Sequence, residues 1–429
     1  MRPKHLFLLL FLVLLALGCK KDKDGTAPSV RIISPTEGET LSIPDTLLVR
    51  VEVSDDHIVE SVTIDLLNAD GISVVTSALV SVQGPSATVE RELIVNSEQL
   101  LSGTYTVVAR ATDGHNDGRA FRSIQLLEAP WRLRSIFVAP PFSTSTSTIL
   151  RVDSVGAVSS FITLQDFNGI AADGRSQHLM VAGSQFAPFQ AIPTNGGNAW
   201  QINVSQNDAP EQFAAITVDP FDGITYFSTR EGMIRSFTGT GSSRFNAQCY
   251  LGHRCEAVVV LGDRIATWQR AIVGGAQVLV AYGPAGTVLA SLPVEHERIG
   301  LFRINETSVM LFCNEAGAGL IERLNIDAAG TPDQYTFPEG PIVAVARLDA
   351  DRFAVALPEQ LVIYRSSTQT TFALADLSGI SALAFDPATG SLFAAQGSTL
   401  LTLDPSSGQT VGNITVGMDI GSIHPLRNR

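Results

Sequence analysis

The side chains that most often carry out chemistry, histidines and carboxylates, are spread thinly over this sequence. The seven histidines are scattered singly, and we interpret His178, His253 and His296 as loop residues rather than catalysts. The sequence contains neither a G-x-S-x-G nucleophile elbow nor an H-E-x-x-H zinc motif. It therefore predicts no catalytic residue, no metal ligand and no cofactor.

Two acidic clusters have the oxygen-rich composition of a calcium site. Asp55 and Asp56 form the first, and Asp113 to Asp117, in DGHNDG, form the second. Calcium takes about six or more oxygen ligands that converge from several places, and only one cluster has even part of that spacing. Asp, Asn and Gly are also the residues that hairpin turns prefer. We interpret both clusters as turns.

The four cysteines fall into an N-terminal one and three in the body of the chain. Cys249 and Cys255, in CYLGHRC, are close enough in sequence to form a disulfide in an oxidising compartment, and two free thiols are the alternative. Cys313 ends an apolar run and is interpreted as a small buried side chain. The sequence has no C-x-x-C pair, so zinc-ribbon and thioredoxin-type chemistry are not predicted.

The N-terminus has the layout of an export signal. Arg2 and Lys4 precede the apolar run LFLLLFLVLLAL, which is too short to span a bilayer comfortably. The ALGC sequence that ends the run resembles the lipobox of bacterial lipoproteins. The resemblance implies a lipoprotein signal peptide over residues 1–18, lipidation of Cys19 and a hydrophilic tether over residues 19–27. An ordinary signal-peptidase site after Gly18 is the alternative.

The predicted mature chain is strongly acidic. Its formal net charge is −13 before processing, and loss of Arg2 and Lys4 with the signal peptide makes it −15. Phosphate backbones repel such a chain, so we expect no nucleic-acid partner. More than one acyl chain on Cys19 would hold the protein at a membrane. We expect an outer-membrane lipoprotein that faces the periplasm or the cell surface.

Residues 28–129 have the pattern of a small β-sandwich. Seven short segments of alternating apolar and polar residues follow one another, from SVRIISP to FRSIQLLEA, with turn signals between them. LLSGTYTVVARATDG resembles the tyrosine corner of immunoglobulin-like domains, with Tyr105 just inside a late strand. The whole segment resembles the Ig-like modules of bacterial surface proteins, although the cysteine pair of antibody domains is missing.

Residues 131–429 contain a repeat. Six segments align on an apolar strand followed by a turn, and their turn residues are Asp173, Asp219, Leu261, Asn305, Asp349 and Asp386. The 213 residues from the first to the last of these make five intervals of about 43, the length of a four-stranded propeller blade. The DP..G.L and LDP.SG turns resemble those of NHL and YVTN propellers.

The two ends of the repeat region complete each other. RSIFVAPPFSTSTSTILRVDSVGAVSSFITL supplies a second, third and fourth strand, and the terminal DIGSIHPL supplies a first strand. Together they make one blade, so the ring closes by pairing between the two ends. The predicted fold is all-β, an Ig-like β-sandwich followed by a seven-bladed β-propeller.

The predicted central channel contains few side chains that could bind a metal or catalyse a reaction. Its innermost strands are small and apolar, and their ionisable residues are Glu256, Arg303, Arg347 and His424, all near strand ends. A metal-dependent lactonase or lyase needs several Asp, Glu, Asn or His side chains to converge there. The channel offers too few of them.

A binding surface is the remaining prospect. The loops that join second to third strands, and fourth strands to the next first strand, share one face of a propeller. We place eight residues on this face, namely Phe186, Phe189, Arg230, Glu231, Trp268, Arg270, Asn314 and Glu315. Exposed aromatic side chains beside arginine are typical of interface hot spots. The alternative is that the three aromatic residues fill gaps between blades.

The sequence thus predicts a lipid-anchored, non-enzymatic binding protein of the cell envelope, in which an Ig-like spacer presents a propeller to a protein or glycan. The alternative is a propeller hydrolase or lyase that acts on a sugar or lactone. A scaffold in an envelope assembly is the third hypothesis. Because neither fold has a fixed function, the choice depends on the site.

Overall fold

The chain is built from β-strands. The computed structural model describes residues 25–203, 213–220, 222–328, 333–337 and 339–429, and within these it contains 34 strands. They form two compact units that divide between Pro130 and Trp131. Within the described residues, no helix is long and apolar enough to span a bilayer. Cys19 and the predicted signal peptide lie outside the described residues.

The first unit surrounds a single hydrophobic core. Its strands are β1 (Ser29–Ser34), β2 (Glu39–Ser42), β3 (Asp45–Leu67), β4 (Ala78–Val95), β5 (Gly103–Thr112) and β6 (Asp117–Leu127). They pair in the order β1-β3-β5-β6-β2, and β4 pairs with β3. Alternate side chains such as Val51, Ile64 and Val107 fill the core. The Tyr105 hydroxyl donates a hydrogen bond to the Leu101 carbonyl at 3.1 Å, which confirms the tyrosine corner.

The first unit differs from the prediction in its strands. Six strands stand in residues 25–130, where the sequence predicted seven short ones. Two pairs of predicted segments fuse, one pair into β3 and the other into β4, and β2 was not among the predicted strands. The register of β3 against β4 shifts between Ser54 and Val59, so the acidic stretch is a bend inside one strand rather than a turn between two. The bend lets one long strand serve two parts of the sheet.

Both acidic clusters satisfy local backbone groups. Asp55 accepts hydrogen bonds from the backbone N–H groups of His57, at 2.8 Å, and Ile58, at 3.1 Å. Asp113 accepts two backbone N–H groups of its own turn, at 2.5 and 2.6 Å. Asp55, Asp56 and His57 are also the one group of three metal-capable side chains that lie close together among the described residues. The hydrogen bonds support the interpretation of the second cluster as a turn, whereas Asp55 and Asp56 lie at a bend within β3 instead of the predicted turn.

The second unit is a ring of seven four-stranded sheets, counted over the described residues. Blade 1 contains β34 (Ser422–Arg427), β7 (Leu133–Ala139), β8 (Ser147–Asp153) and β9 (Val158–Leu164). Blade 2 contains β10 (Gly169–Asp173), β11 (His178–Ala182), β12 (Phe189–Pro193) and β13 (Trp200–Ile202). Blade 3 contains β14 (Phe213–Val218), β15 (Thr225–Thr229), β16 (Met233–Phe237) and β17 (Ser243–Gln248).

The remaining blades follow the same plan. Blade 4 contains β18 (His253–Val260), β19 (Ile265–Ala271), β20 (Gln277–Tyr282) and β21 (Val288–Val294). Blade 5 contains β22 (Arg298–Arg303), β23 (Ser308–Glu315), β24 (Ala318–Asn325) and β25 (Asp333–Phe337). Blade 6 contains β26 (Ala344–Arg347), β27 (Arg352–Ala356), β28 (Leu361–Arg365) and β29 (Thr370–Ala375). Blade 7 contains β30 (Ile380–Asp386), β31 (Ser391–Gln396), β32 (Thr399–Leu403) and β33 (Thr410–Thr415). The first strand of each blade is the innermost and contacts the first strands of its neighbours.

Strands from both ends of the propeller close the ring. The C-terminal β34 pairs antiparallel with β7, with Ile423 opposite Val138. Beyond β34, the Asn428 side chain accepts a hydrogen bond from the Arg132 backbone N–H at 2.9 Å. The predicted seven blades and their mode of closure are confirmed.

The repeated turn residue has a structural purpose. Asp173 accepts the backbone N–H of Arg175 at 2.9 Å, and Asp386 accepts that of Thr389 at 3.0 Å, each in the hairpin after an innermost strand. A short carboxylate side chain satisfies turn backbone that no strand partner reaches. This explains why the aspartate recurs at the blade interval.

Candidate binding face

We define the upper face of the propeller as the loops between second and third strands together with the loops between successive blades. Of the residues predicted for it, Phe186 is 61% exposed, and Glu231 and Glu315 are exposed as well. The buried Asp166 holds the Phe186 loop, because its carboxylate accepts four consecutive backbone N–H groups at 2.5 to 3.1 Å. Phe186 is therefore presented on a fixed loop.

Two predicted contact residues do not belong to the upper face. Phe189 and Trp268 are both 0% exposed. The Phe189 ring stacks on Phe227 of the next blade with 4.6 Å between centroids, and Trp268 lies in the core that blades 4 and 5 share. Each fills a gap between blades, because a blade must bury its apolar faces against its neighbours. Their placement as ligand contacts was wrong.

Arg230 and Asn314 connect neighbouring loops. Asn314 accepts the backbone N–H of Ile342 at 2.7 Å and donates to its carbonyl at 3.0 Å, which ties blade 5 to the segment entering blade 6. The half-buried Arg230 donates from Nε to the Phe213 carbonyl at 3.4 Å. Both side chains hold the upper face together rather than projecting from it.

The structure places an apolar patch on the upper face that the sequence prediction did not include. It consists of Tyr250, Leu251, Ile272 and Val273. Leu251 and Val273 are 93% and 87% exposed, and Ile272 and Tyr250 are 58% and 50% exposed. Tyr250 and Leu251 lie in the loop that enters blade 4, and the other two lie in the loop between β19 and β20. Four large apolar side chains on adjoining loops are an unusual surface for a soluble domain.

Hydrogen bonds fix the two loops of the apolar patch to each other and to blade 4. The backbone N–H of Ile272 donates to the Gly252 carbonyl at 2.9 Å. The backbone N–H of Tyr250 donates to Oε1 of the buried Gln269 at 2.7 Å, and Gln269 in turn donates to the Tyr282 hydroxyl at 2.9 Å. Gly252 has φ +73°, which favours glycine at this turn. The patch is thus preorganised, and a partner would lose little by ordering it.

A group of charged side chains, the arginine network, borders the apolar patch. It comprises Arg254, Glu256, Arg270, Glu297 and Arg298. The Glu256 carboxylate lies 3.0 Å from Nε of Arg254 and 3.0 Å from Nε of Arg270, and Arg270 also contacts Glu297 at 2.8 Å. Arg270, one of the residues predicted for the upper face, does lie there, and its guanidinium group is paired with the carboxylates of Glu256 and Glu297. Three guanidinium groups against two carboxylates leave the network with a positive excess.

Arg298 is the least satisfied member of the arginine network. Its Nε is buried without a hydrogen-bond partner, and one long contact joins its Nη2 to the Glu256 carbonyl at 3.4 Å. Burial lowers the pKa of Arg298, while the Glu256 carboxylate acts in the opposite direction. Buried guanidinium groups normally find acceptors, so this position favours an incoming anionic group.

Cys249 and Cys255 lie beneath the apolar patch as free, buried thiols. They are neighbours, and burial followed by the hydrogen bond with Cys249 raises the pKa of Cys255. The predicted disulfide is thus not formed in this structure, where both thiols are free and buried. Cys313 is fully buried, as predicted, and burial raises its pKa to about 12.

The ionisable residues of the channel do not converge. Arg347 donates to the Arg303 carbonyl at 2.6 Å at the end of the channel away from the upper face. The fully buried Asp386 carboxylate lies 2.7 Å from Nε of Arg427. His424, within β34, has an Nε2 that is buried without a hydrogen-bond partner, and burial lowers its pKa to about 4. These groups are spread along the channel and are paired locally or isolated.

His424 makes the stability of the propeller depend on pH. Its pKa is about 4 in the folded chain against about 6.5 in an unfolded chain, so the unfolded state gains a proton first as the pH falls. The stabilisation is complete above pH ~6.5 and is lost between there and pH ~4. Between pH 7 and pH 5, we expect the free energy of unfolding of wild type to fall by about 2 kcal/mol more than that of His424→Asn. Urea unfolding followed by tryptophan fluorescence measures this, since all three tryptophans lie in the propeller. An equal fall in the free energy of unfolding of the two chains would contradict the assignment of this pH dependence to His424.

Comparison with known proteins identifies one part of the chain. Similar solved structures include a chain of the mitotic checkpoint complex, with 10% identity over 60% of this chain and 80% of that chain and a TM-score of 0.48. A chain of the nidogen/laminin complex has 11% identity over 59% and 99%, with a TM-score of 0.42. A quinonprotein alcohol dehydrogenase-like protein from Bacteroides thetaiotaomicron has 13% identity over 93% and 99%, with a TM-score of 0.45. No curated protein matches the chain. Residues 28–109 match the family of bacterial Ig domains, which are typical of extracellular and surface proteins.

Proposed function

We propose that this protein is a lipid-anchored, non-enzymatic binding protein of the bacterial cell envelope, and that the upper face of its propeller holds a protein partner. The observation that carries the proposal is the apolar patch, with Leu251 and Val273 almost fully exposed. The buried centre of a protein interface is apolar, and tyrosine and arginine are enriched there. The bacterial Ig domain supports an extracytoplasmic location.

The patch and the arginine network together define the chemistry of the partner. Leu251 and Val273 would enter an apolar pocket, and a carboxylate at its rim would meet Arg270 and Arg298. The network has three cationic groups for two anionic ones, although the whole chain is acidic. A protein surface with an apolar pocket and an acidic rim is complementary to both features.

The alternative of a hydrolase or lyase acting on a sugar or lactone lacks a supporting observation in the described channel. Asp386 is occupied by Arg427, and Asp173 caps a turn. Each carboxylate thus has a structural partner, whereas general acid–base catalysis needs a group that is placed to reach a substrate proton. The scaffold hypothesis is compatible with the proposal, because a scaffold also binds proteins.

The lipid anchor is tested at Cys19. We expect Cys19→Ser to move the protein from the membrane fraction to the soluble fraction, because the acyl chains are the proposed attachment and a serine cannot form the thioether. Cell fractionation and palmitate labelling measure the change. Lys20→Ser is the matched control and should stay in the membrane fraction. Membrane attachment of the Cys19→Ser chain would contradict the anchor.

The binding function is tested by capture from detergent-solubilised envelopes. Wild type and the Leu251→Asp chain are crosslinked in parallel, and the captured proteins are compared. The proposal requires at least one protein that wild type captures in a saturable manner and the variant does not. Identical captures by the two chains would contradict a role for the apolar patch.

A further inference from the structure

A cleft on the side of the ring begins at the loop between blades 4 and 5 and extends along their outer strands. It has a volume of about 710 Å³ and runs between the outer strand of blade 4, β21, and the strands β23 to β25 of blade 5. Volumes of roughly 300 to 1,000 Å³ are typical of small-molecule sites. The cleft is therefore large enough for a ligand of sugar size.

A buried carboxylate forms part of the wall of the cleft. The Glu322 side chain is 6% exposed, and its Oε1 lies 3.9 Å from Nε2 of His296. The same oxygen accepts a hydrogen bond from Nε2 of Gln334 at 2.8 Å. Among the described residues, no arginine pairs with Glu322. A buried carboxylate needs cations or hydrogen-bond donors to offset its desolvation, and the side chains that approach Glu322 are one amide donor and His296 at 3.9 Å. A positively charged ligand group would therefore find a prepared counter-ion.

The rest of the lining suits a hydroxylated molecule. Ser308 and Asn325 line the cleft, and within the described residues neither the Ser308 hydroxyl nor the Asn325 Nδ2 makes a hydrogen bond, while Oδ1 of Asn325 accepts the backbone N–H of Asp327. Leu292, Pro293 and Leu324 supply an apolar wall. Free polar groups beside an apolar wall can bind the hydroxyl edge and the C–H face of one ring.

The charge of the lining favours a cation. Glu295, Glu322 and Asp333 contribute three carboxylates, and Arg323 contributes one guanidinium group. The carboxylates outnumber the basic side chains of the lining even when His296 is counted among these, so the lining is net negative. A ligand with a carboxylate or phosphate group would be repelled.

We propose that this cleft binds an amino sugar with a free, protonated amine. The ammonium group lies between Glu322 and His296, and the sugar hydroxyls reach Ser308, Asn325 and Gln334. The lining of the cleft shares no residue with the apolar patch or with the arginine network. The cleft would give the protein a second, small-molecule specificity.

The test compares charged and uncharged sugars on the detergent-solubilised full-length protein. The probes are glucosamine and its β-1,4-linked dimer, with N-acetylglucosamine as the uncharged match. Ligand-observed NMR titration measures the affinity for each. We expect glucosamine to bind wild type about tenfold more tightly than N-acetylglucosamine, a preference of about 1.4 kcal/mol.

Glu322→Gln should remove this preference, because it keeps the shape and deletes the charge. Glu359→Gln, at an exposed glutamate of blade 6, is the matched control and should keep it. His296→Gln leaves the buried carboxylate in place and should weaken glucosamine binding severalfold, which provides a second test if Glu322→Gln fails to fold.

The proposal is overturned if neither amino sugar binds saturably, if the charged and uncharged sugars bind equally, or if both cleft variants bind as wild type does. Leu251→Asp should leave sugar binding unchanged, so this test is separate from that of protein capture.

Discussion

The chain that carries Leu251→Asp and Val273→Asp is expected to lose about a thousandfold in affinity for its protein partner. Burying a leucine or valine side chain contributes about 1.5 to 3 kcal/mol, and a combined loss of about 4 kcal/mol in binding free energy corresponds to about three orders of magnitude in affinity. Each aspartate would also bring an unpaired charge into an apolar pocket. Because Leu251 and Val273 are 93% and 87% exposed, the free energy of unfolding should change by less than about 0.5 kcal/mol.

Val155 provides a matched control for this prediction. It is 87% exposed, as is Val273, and it lies in the loop between β8 and β9 on the opposite face of the propeller. Val155→Asp adds the same charge to a surface of the same exposure and should bind as wild type does. Surface plasmon resonance with the captured partner measures wild type, the double variant, the single variant Val273→Asp and the control Val155→Asp. If Val155→Asp weakens binding as much as Val273→Asp, net charge rather than the apolar patch determines affinity.

The sequence was a good guide to the propeller because its repeat is a property of the backbone. Asp173 and Asp386 cap equivalent hairpins, and a turn cap leaves a residue type at a fixed place in each repeat. The closure of the ring was also predictable from the sequence. The blade at the start of the propeller lacks its first strand, and the strand at the end of the propeller supplies it. Tyr105 was recognisable because its hydroxyl bonds to backbone only four residues away.

The binding face was harder to predict because burial depends on contacts between blades. Phe186 and Phe189 stand three residues apart in GSQFAPFQ, yet one is 61% exposed and the other is 0% exposed. The difference arises because β12 begins at Phe189 and turns its ring toward Phe227. Asp166, which fixes the loop, stands 20 residues before Phe186. Alternation within one strand does not reveal such distant partners.

The apolar patch left a weak signal in the sequence. Two apolar pairs, Tyr250–Leu251 and Ile272–Val273, stand immediately before glycines at turns, where polar residues are the usual choice. Each pair alone is ordinary. Their significance comes from the hydrogen bond between Ile272 and Gly252, which places the two loops side by side. The cleft wall likewise unites His296 of one loop with Glu322 of another blade, and no local pattern links them.

Deleting residues 418–429 is expected to unfold the propeller. The deletion removes β34 and the buried side chains of Ile420, Ile423 and Leu426. The loss of each buried side chain lowers the free energy of unfolding by roughly 2 to 4 kcal/mol. The sum of the three losses approaches the free energy of about 5 to 15 kcal/mol that typically stabilises a whole domain. The loss of Arg427 also leaves the buried Asp386 carboxylate without its partner, at a cost of about 3 to 5 kcal/mol. Tryptophan fluorescence and limited proteolysis measure the outcome, since Trp131, Trp200 and Trp268 all lie in this unit.

Two further chains separate ring closure from a general effect of truncation. Deleting Arg429 alone leaves β34 and its pairing with β7 in place, so the propeller should still fold. Adding a synthetic peptide of residues 418–429 to the truncated chain should restore protection from protease, because the open blade offers β7 as a pairing edge and an apolar groove for Ile423 and Leu426. A truncated chain that unfolds at the same urea concentration as wild type would show that packing between blades stabilises the ring without β34. The energies of the buried side chains argue against that outcome, since the cores on both sides of blade 1 contain residues from β34.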